Sequence, residues 1–246
     1  MTIQEILQTT SHRPWQMPKG KWKYYQEWNN AIFLHFEANI EELEKLVPKD
    51  LEIDTHEGKA YVSIVPFTME RIRQRNIPAF APISNFHEVN IRTYVKYKGK
   101  TGVHFLSIEG AKRSSCFVAK ALSELPYRYS PMERTSKTFK SKNKKYKDSL
   151  KVKFKIGPTV NNKSSLELWL TERYALFQHT QNSINEFEIH HIEWPANQIE
   201  IEELQVNYSR FKNLISSKPT IVQYSPGVQV IAWEKVVNKK LAITQG

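Results

Sequence analysis

Short runs of apolar residues, bounded by turn-forming residues, recur along the chain and predict β-strands. Two of these runs are WNNAIFLHFEA at 28–38 and KAYVSIVPF at 59–67. The clearest pattern is a pair of apolar runs that flank a glycine-containing turn at 98–102. This pair predicts a β-hairpin with strands at about 88–97 and 102–109.

Two other segments have apolar residues at helical spacing. IEELEKLVP at 40–48 predicts a short helix that ends before its proline, and SSCFVAKALSEL at 114–125 predicts a second one. In the second helix the serines suit an N-cap, and the predicted buried face carries Phe117, Ala121 and Leu125.

The second half of the chain has further strand patterns and one ambiguity. LKVKFKIG at 150–157 alternates apolar residues with lysines and predicts a half-exposed strand, while 187–195 and 227–237 also predict strands. SSLELWLTERYALFQ at 164–178 fits both a helix and a strand. Many short strands with few short helices indicate an α+β, mostly antiparallel fold that is closed or nearly closed.

The length allows one large domain or two small ones, and we predict a single folded domain over residues 1–246. Cys116 is the single cysteine, so no intrachain disulfide or thiolate metal cluster can form, and we expect it to be a small buried residue. The amino-terminal residues lack the pattern of a signal peptide, and no run of apolar residues is long enough for a membrane span. We therefore predict a cytoplasmic protein with no membrane partner.

The net charge of +11 is concentrated in one segment. Residues 134–155 carry ten Lys or Arg and one acid, whereas the rest of the chain is nearly balanced. Lysines interleaved with Phe139, Tyr146 and Phe154 can track a phosphate backbone and stack on bases. Lysines on a strand are also common as a solvated face that protects a sheet edge. We keep nucleic acid or another anionic surface as an alternative partner, and expect a small molecule instead.

Several stretches together resemble one known family. They are SHRPW (11–15), WNN (28–30), LVPKDLEID (46–54), VPFTM (65–69), FHEVNIRTYV (86–95), LPY (125–127), TERYALF (171–177) and YSPGV (224–228). The chain is similar over nearly its whole length to the YqjF-like uncharacterised bacterial family of the acetoacetate decarboxylase-like superfamily. The resemblance implies a cone-shaped, mostly antiparallel β-barrel with a few short helices and a small-molecule cavity.

The resemblance also implies where a catalytic site would lie. Acetoacetate decarboxylases carry a Schiff-base lysine beside a second lysine, and the charge of the second lysine lowers the pKa of the first. They also carry an arginine that binds the substrate carboxylate, and a glutamate. In this sequence Tyr127 falls on the Schiff-base lysine, Arg128 on its neighbour and Asn29 on the arginine. Glu88 keeps the glutamate. A phenol cannot form an iminium, so we predict that Schiff-base decarboxylation is absent.

The same positions support other chemistry. Glu88 is the candidate acid/base or polar anchor, Tyr127 the orienting hydroxyl, and Asn29 a candidate ligand contact. Arg128, Arg92 and Arg173 are the candidate cations for an anionic ligand. Enolisation or hydrolysis of a small carbonyl compound, and non-catalytic ligand binding, both remain open.

A purely structural interpretation remains open beside these. In it, Glu88 and either Arg92 or Arg128 form a buried ion pair that closes the barrel. The sequence contains no glycine-rich phosphate loop, so no organic cofactor is predicted. No metal site is predicted either, because the adjacent His190 and His191 on a strand point to opposite faces. The sequence defines neither the ligand nor whether the chain forms a homo-oligomer.

Overall fold

The computed structural model describes residues 1–180, 182–215 and 218–239. The α-helices in these ranges are α1 (Ile3–Gln8), α2 (Ile40–Glu44), α3 (Ala81–Ser84), α4 (Arg113–Ser123) and α5 (Ser165–Thr171). The strands are β1 (Tyr24–Ala38), β2 (Glu52–Ile53), β3 (Ala60–Gln74), β4 (Phe86–Tyr97), β5 (Lys100–Gly110), β6 (Tyr127–Tyr129), β7 (Met132–Arg134), β8 (Thr138–Asn143), β9 (Asp148–Val160), β10 (Ala175–His179), β11 (Ser183–His190), β12 (Ala196–Asn207), β13 (Ile221–Ala232) and β14 (Val236–Lys239). A 3-10 helix covers Ser209–Phe211.

The strands form one mostly antiparallel sheet that closes into a ring. The order around the ring is β5-β4-β3-β1-β13-β11-β10, because β11 pairs with both β10 and β13, and β10 pairs in parallel with β5. The ring is cone-like rather than an even barrel. The predicted α+β, mostly antiparallel fold class is confirmed.

A second layer of strands extends from the ring and covers its outer face. Strands β12, β9, β8 and β7 follow one another beyond β13 in the same sheet. Their apolar side chains pack against the outward-facing residues of β1, β3 and β4 in the largest hydrophobic core. As a result, the middle of β1, from Ala31 to Phe36, is buried on both faces. Such strands have nearly continuous apolar runs instead of a simple alternation.

The clearest sequence predictions are confirmed. The hairpin of β4 and β5 has its turn at Lys98 and Gly99, both with positive φ angles. The ambiguous segment 164–178 contains both structures, because helix α5 ends at Thr171 and strand β10 begins at Ala175. Strand β3 continues well past the predicted end at residue 67.

For the helix at 114–125, the serine N-cap and the burial of Phe117 and Ala121 were wrongly predicted, whereas Leu125 is buried as predicted. The N-cap of α4 is Lys112, which makes no side-chain cap hydrogen bond, and both serines lie inside the helix. Phe117 is 75% exposed, whereas Ser115 and Cys116 are buried. The helix therefore packs through its first turn. Cys116 is buried as predicted, and burial raises the pKa of its thiol to about 11.

None of the helices in the described ranges has the length and apolar content needed to cross a bilayer.

Ring closure depends on a close approach at Gly102. A methyl group there would lie 2.5 Å from the carbonyl oxygen of Ala175 and 2.8 Å from Cε2 of Phe177. Gly102→Ala should lower the free energy of unfolding by about 1–3 kcal/mol, because the β5–β10 junction must separate. Urea denaturation measures this change. An unchanged midpoint would show that the two strands can shift apart without cost.

Candidate functional site

A cavity of about 210 Å³ lies inside the ring of strands. Strands β1, β3, β4 and β5 contribute about half of its lining residues, and the second half of α4 also lines it. The wall is largely apolar and aromatic: Trp28 and Trp194 are stacked with ring centroids 6.2 Å apart, and Phe33 meets Trp194 edge-on at 5.2 Å. Concave apolar sites with a few polar groups are typical of small-molecule binding.

Strand β4 places the main polar groups in this wall. Glu88, Asn90 and Arg92 line the cavity, whereas Val89 and Ile91 between them point into the outer core. The alternation follows from the period of two along a strand. Of these groups, Glu88 and Arg92 were predicted as site residues and Asn90 was not, although its position two residues from each is the signal that would have found it.

Glu88 is a buried carboxyl group with only neutral partners. Its side chain accepts hydrogen bonds from the Tyr127 hydroxyl at 2.7 Å and, at 3.4 Å, from the Asn90 amide. No described cation lies within ion-pair distance of it, and it is 2% exposed. Burial raises the pKa of Glu88 to about 7, although both hydrogen bonds oppose the rise. The group can therefore both donate and accept a proton near neutral pH.

Tyr127 reaches Glu88 because β6 adds to the edge of β5. The two strands run parallel, with Tyr127 opposite Ile108, and both residues line the cavity. Burial and the neighbouring carboxylate of Glu88 raise the pKa of Tyr127 well above its usual value. The phenol is neutral in the physiological range and can act as a hydrogen-bond donor.

Arg92 is a buried cation without a carboxylate partner among the described residues. It is 8% exposed, its Nη2 donates to the carbonyl oxygen of Leu170 at 3.4 Å, and its Nε has no partner. The guanidinium lies over the rings of Phe33 and Tyr94, at 5.7 and 6.0 Å. Aromatic faces compensate a buried cation only in part.

Arg173 lines the same cavity but has a carboxylate partner. Its Nη1 donates to Asp54 at 2.7 Å and its Nε to the carbonyl oxygen of Trp169 at 2.6 Å, while Nη2 has no partner. Asp54 also pairs with Lys96 at 3.1 Å. The two guanidiniums lie close enough for Arg92 to contribute to the lowered pKa of Arg173, whose main cause is burial. This end of the cavity thus has an excess of positive charge.

Arg128 is not among the residues that line the cavity. It follows Tyr127 on β6 and so points to the opposite face, where it pairs with Glu109 at 2.7 Å and Asp148 at 3.3 Å. The structural alternative of a buried ion pair between Glu88 and Arg92 or Arg128 does not form among the described residues, because Arg128 pairs with Glu109 instead and Arg92 has no carboxylate partner there.

Asn29 does not line the cavity either. Its amide donates to Glu70 at 2.6 Å, and the neighbouring Trp28 takes the cavity side. The positive φ angle of Asn30 marks an irregularity that changes the alternation of β1, so that Ala31 and Phe33 face inward after it.

The two adjacent histidines separate as the sequence indicates. His190 bonds through Nε2 to the carbonyl oxygen of Ile6 at 2.9 Å, whereas His191 lines the cavity. Nothing in the sequence pattern indicates which of the two histidines faces the cavity. Across the described ranges, no group of three or more histidine, cysteine, aspartate or glutamate side chains is arranged to hold a metal ion.

The basic segment lies on the outer hairpin of β8 and β9. Two of its lysines are neutralised across the sheet, because Lys151 pairs with Glu203 at 2.7 Å and Lys153 with Glu202 at 2.9 Å. Binding of nucleic acid by the remaining lysines stays a prediction.

A family model and a bacterial relative match this chain in sequence. The family model DUF2071, described as an uncharacterized conserved protein, matches residues 25–229. The uncharacterized protein YqjF of Bacillus subtilis (strain 168) is 35% identical over 193 residues, which cover 76% of this chain and 80% of YqjF.

Solved structures of low sequence identity share the fold. Acetoacetate decarboxylase from Legionella pneumophila has a TM-score of 0.61 at 13% identity, with 94% of each chain covered. The enduracididine biosynthesis enzyme MppR in complex with pyruvate has a TM-score of 0.61 at 7% identity, with 92% of this chain and 93% of MppR covered. With its acetoacetate decarboxylase-like fold and its match to the family model and to YqjF, the chain belongs to the DUF2071 family.

Proposed function

We propose that the cavity binds a small oxo-carboxylate and that Glu88 transfers a proton to or from it. The observation that carries this proposal is the pairing of two unusual groups in one cavity. Arg92 is a buried cation that lacks a carboxylate partner within the described part of the chain, and Glu88 is a buried acid that lacks a cation there.

The arginine end accounts for the carboxylate of the ligand. Removing a cation from water costs several kcal/mol unless an anion and hydrogen bonds compensate. A ligand carboxylate beside Arg92 would supply that anion, and the guanidinium fork suits its geometry. The unpaired Nη2 of Arg173 offers a further donor at the same end.

The glutamate end accounts for the oxo group. A neutral carboxyl group donates a hydrogen bond to a carbonyl oxygen and can protonate it as an enol forms, while Tyr127 holds the second carboxyl oxygen in place. The MppR structure contains pyruvate, a small oxo acid, in a protein of the same fold. That likeness supports the choice of oxo acids as the ligand class to test.

Binding can be tested with ligands that carry one or both groups. Pyruvate and 2-oxobutyrate at 100 times their dissociation constants should stabilise the wild type by about 2.7 kcal/mol, which a melting curve detects. Acetone, without a carboxylate, should have little effect. Arg92→Met should abolish the shift, while Arg71→Met, which removes a guanidinium that is 71% exposed, should keep it. An equal shift with acetone or in Arg92→Met would contradict the proposal.

Proton transfer is followed in the same samples. In deuterium oxide, the wild type should exchange the C3 protons of 2-oxobutyrate, as seen by loss of the methylene signal in proton NMR. Glu88→Gln should still bind the oxo acid, but its exchange rate should be about one hundredth of the wild-type rate or lower, because glutamine cannot protonate the oxo group. Binding without exchange in the wild type would make the protein a non-catalytic binder.

The proposal excludes an amine mechanism. Lys235 is the lysine among the residues that line the cavity, and its Nζ pairs with Glu124 at 2.8 Å. Incubation with acetoacetate and borohydride should therefore leave the protein mass unchanged. A stable adduct on Lys235 would show that this lysine forms a Schiff base, although Tyr127 occupies the position of the catalytic lysine.

The raised pKa of Glu88 also has a consequence for stability. Between its usual value of 4.5 and about 7, the folded state keeps a proton that the unfolded state has released. The free energy of unfolding should thus fall as pH rises through this window, by up to ~3 kcal/mol from this group. Glu88→Gln should lack this fall in urea denaturation between pH 4 and 8. If the free energy of unfolding varied with pH in the same way in both proteins, Glu88 would not ionise within this pH window.

A further inference from the structure

His191 lies on the cavity wall directly after β11. Its ring is 1% exposed and packs against Tyr174, Trp194 and Trp28, with centroids 4.9, 5.4 and 6.4 Å away. The Nε2 of His12 is 2.8 Å from the backbone oxygen of His191, so the amino-terminal segment also holds this position. The imidazole is therefore fixed in place at the cavity.

The hydrogen bonds of His191 define which nitrogen is free. Its Nδ1 is 2.7 Å from the carbonyl oxygen of Ile192. A carbonyl oxygen can only accept, so Nδ1 carries the hydrogen and Nε2 carries a lone pair. Among the described residues, no group hydrogen-bonds to this Nε2. The ring thus presents a proton acceptor without a protein partner.

Burial favours the neutral form of His191 and is the main cause of its lowered pKa. Glu172 and the hydrogen bond to Ile192 oppose this lowering, whereas His12 and Arg13 add to it. Glu172 is itself occupied by the Tyr174 hydroxyl at 2.7 Å, the Trp194 amide at 3.1 Å and Lys163 at 3.2 Å. At neutral pH, His191 is therefore available as a base.

The strand order places His191 opposite Glu88. Going around the ring, β4 and β11 are three steps apart through β5 and β10, and four steps apart through β3, β1 and β13. In a ring of this size no two strands are farther apart. Both side chains line the cavity, so each faces the space that a ligand would occupy.

We propose that His191 is the base that acts with Glu88 on the bound oxo acid, an inference that rests on the proposed function. Nε2 takes a proton from the carbon next to the oxo group, and the electrons of that C–H bond form the carbon–carbon double bond of an enol. The carbonyl oxygen takes the proton of Glu88. The reverse step, after exchange of the imidazolium proton with solvent, returns the oxo acid with a solvent hydrogen on carbon.

The exchange of 2-oxobutyrate in deuterium oxide tests this role. His191→Gln should bind the oxo acid with an unchanged melting shift. It should exchange the C3 protons of the ligand at about one hundredth of the wild-type rate or lower. His190→Gln is the matched control, because its amide can still donate to Ile6 on the other face, and it should exchange like the wild type. Wild-type exchange should decline above about pH 7 as Glu88 loses its proton.

The outcomes separate the two proposals. If His191→Gln exchanges within about threefold of the wild type while Glu88→Gln does not, Glu88 acts without His191 and only this inference is overturned. If the wild type binds no oxo acid, the proposed function fails, and this inference with it. Nitrogen-15 spectra of the histidine rings give an independent measurement. A hydrogen on Nε2 of His191 at pH 7 would exclude its role as a base, whatever the binding result.

Discussion

Strand β4 is buried on both of its faces, and this constraint determines where its own polar side chains can lie. Its outward residues, Val89 and Ile91, fill the core between the ring and the second layer of strands. Because side chains alternate along a strand, Glu88, Asn90 and Arg92 must then face the cavity. The same packing that stabilises the fold therefore places an acid, an amide and a cation in an apolar cavity.

Much of the fold follows from local patterns, but the site follows only in part. The apolar runs and the glycine-containing turn located the hairpin of β4 and β5, and the motif resemblance pointed to Glu88. Arg128 shows the limit of such reasoning. Its direction depends on how the short strand β6 pairs with β5, and its partner Asp148 belongs to β9. A three-residue strand has no periodic pattern from which these long-range pairings could be predicted.

His191 shows a second limit, which concerns segments outside regular strands. Alternation correctly separates His190 from His191, but it does not say which one faces inward, because a shift of one residue in register exchanges the two faces. Here the backbone of β11 pairs with β13 through His190, and the amino-terminal segment supplies the acceptor for that ring. The second of these contacts joins residues that are 184 positions apart in the chain.

The separation of Glu88 from Arg92 is the property on which the chemistry depends. If the two groups touched, the guanidinium would hold the carboxyl group ionised and its own charge would be neutralised. Four residues along a strand span about 13 Å between Cα atoms, and the uncharged Asn90 lies between the two. Glu88 thus keeps the proton that burial favours to about pH 7, and the Arg92 guanidinium stays without a carboxylate partner among the described residues. A ligand with an anionic end and a carbonyl group satisfies both without bringing them together.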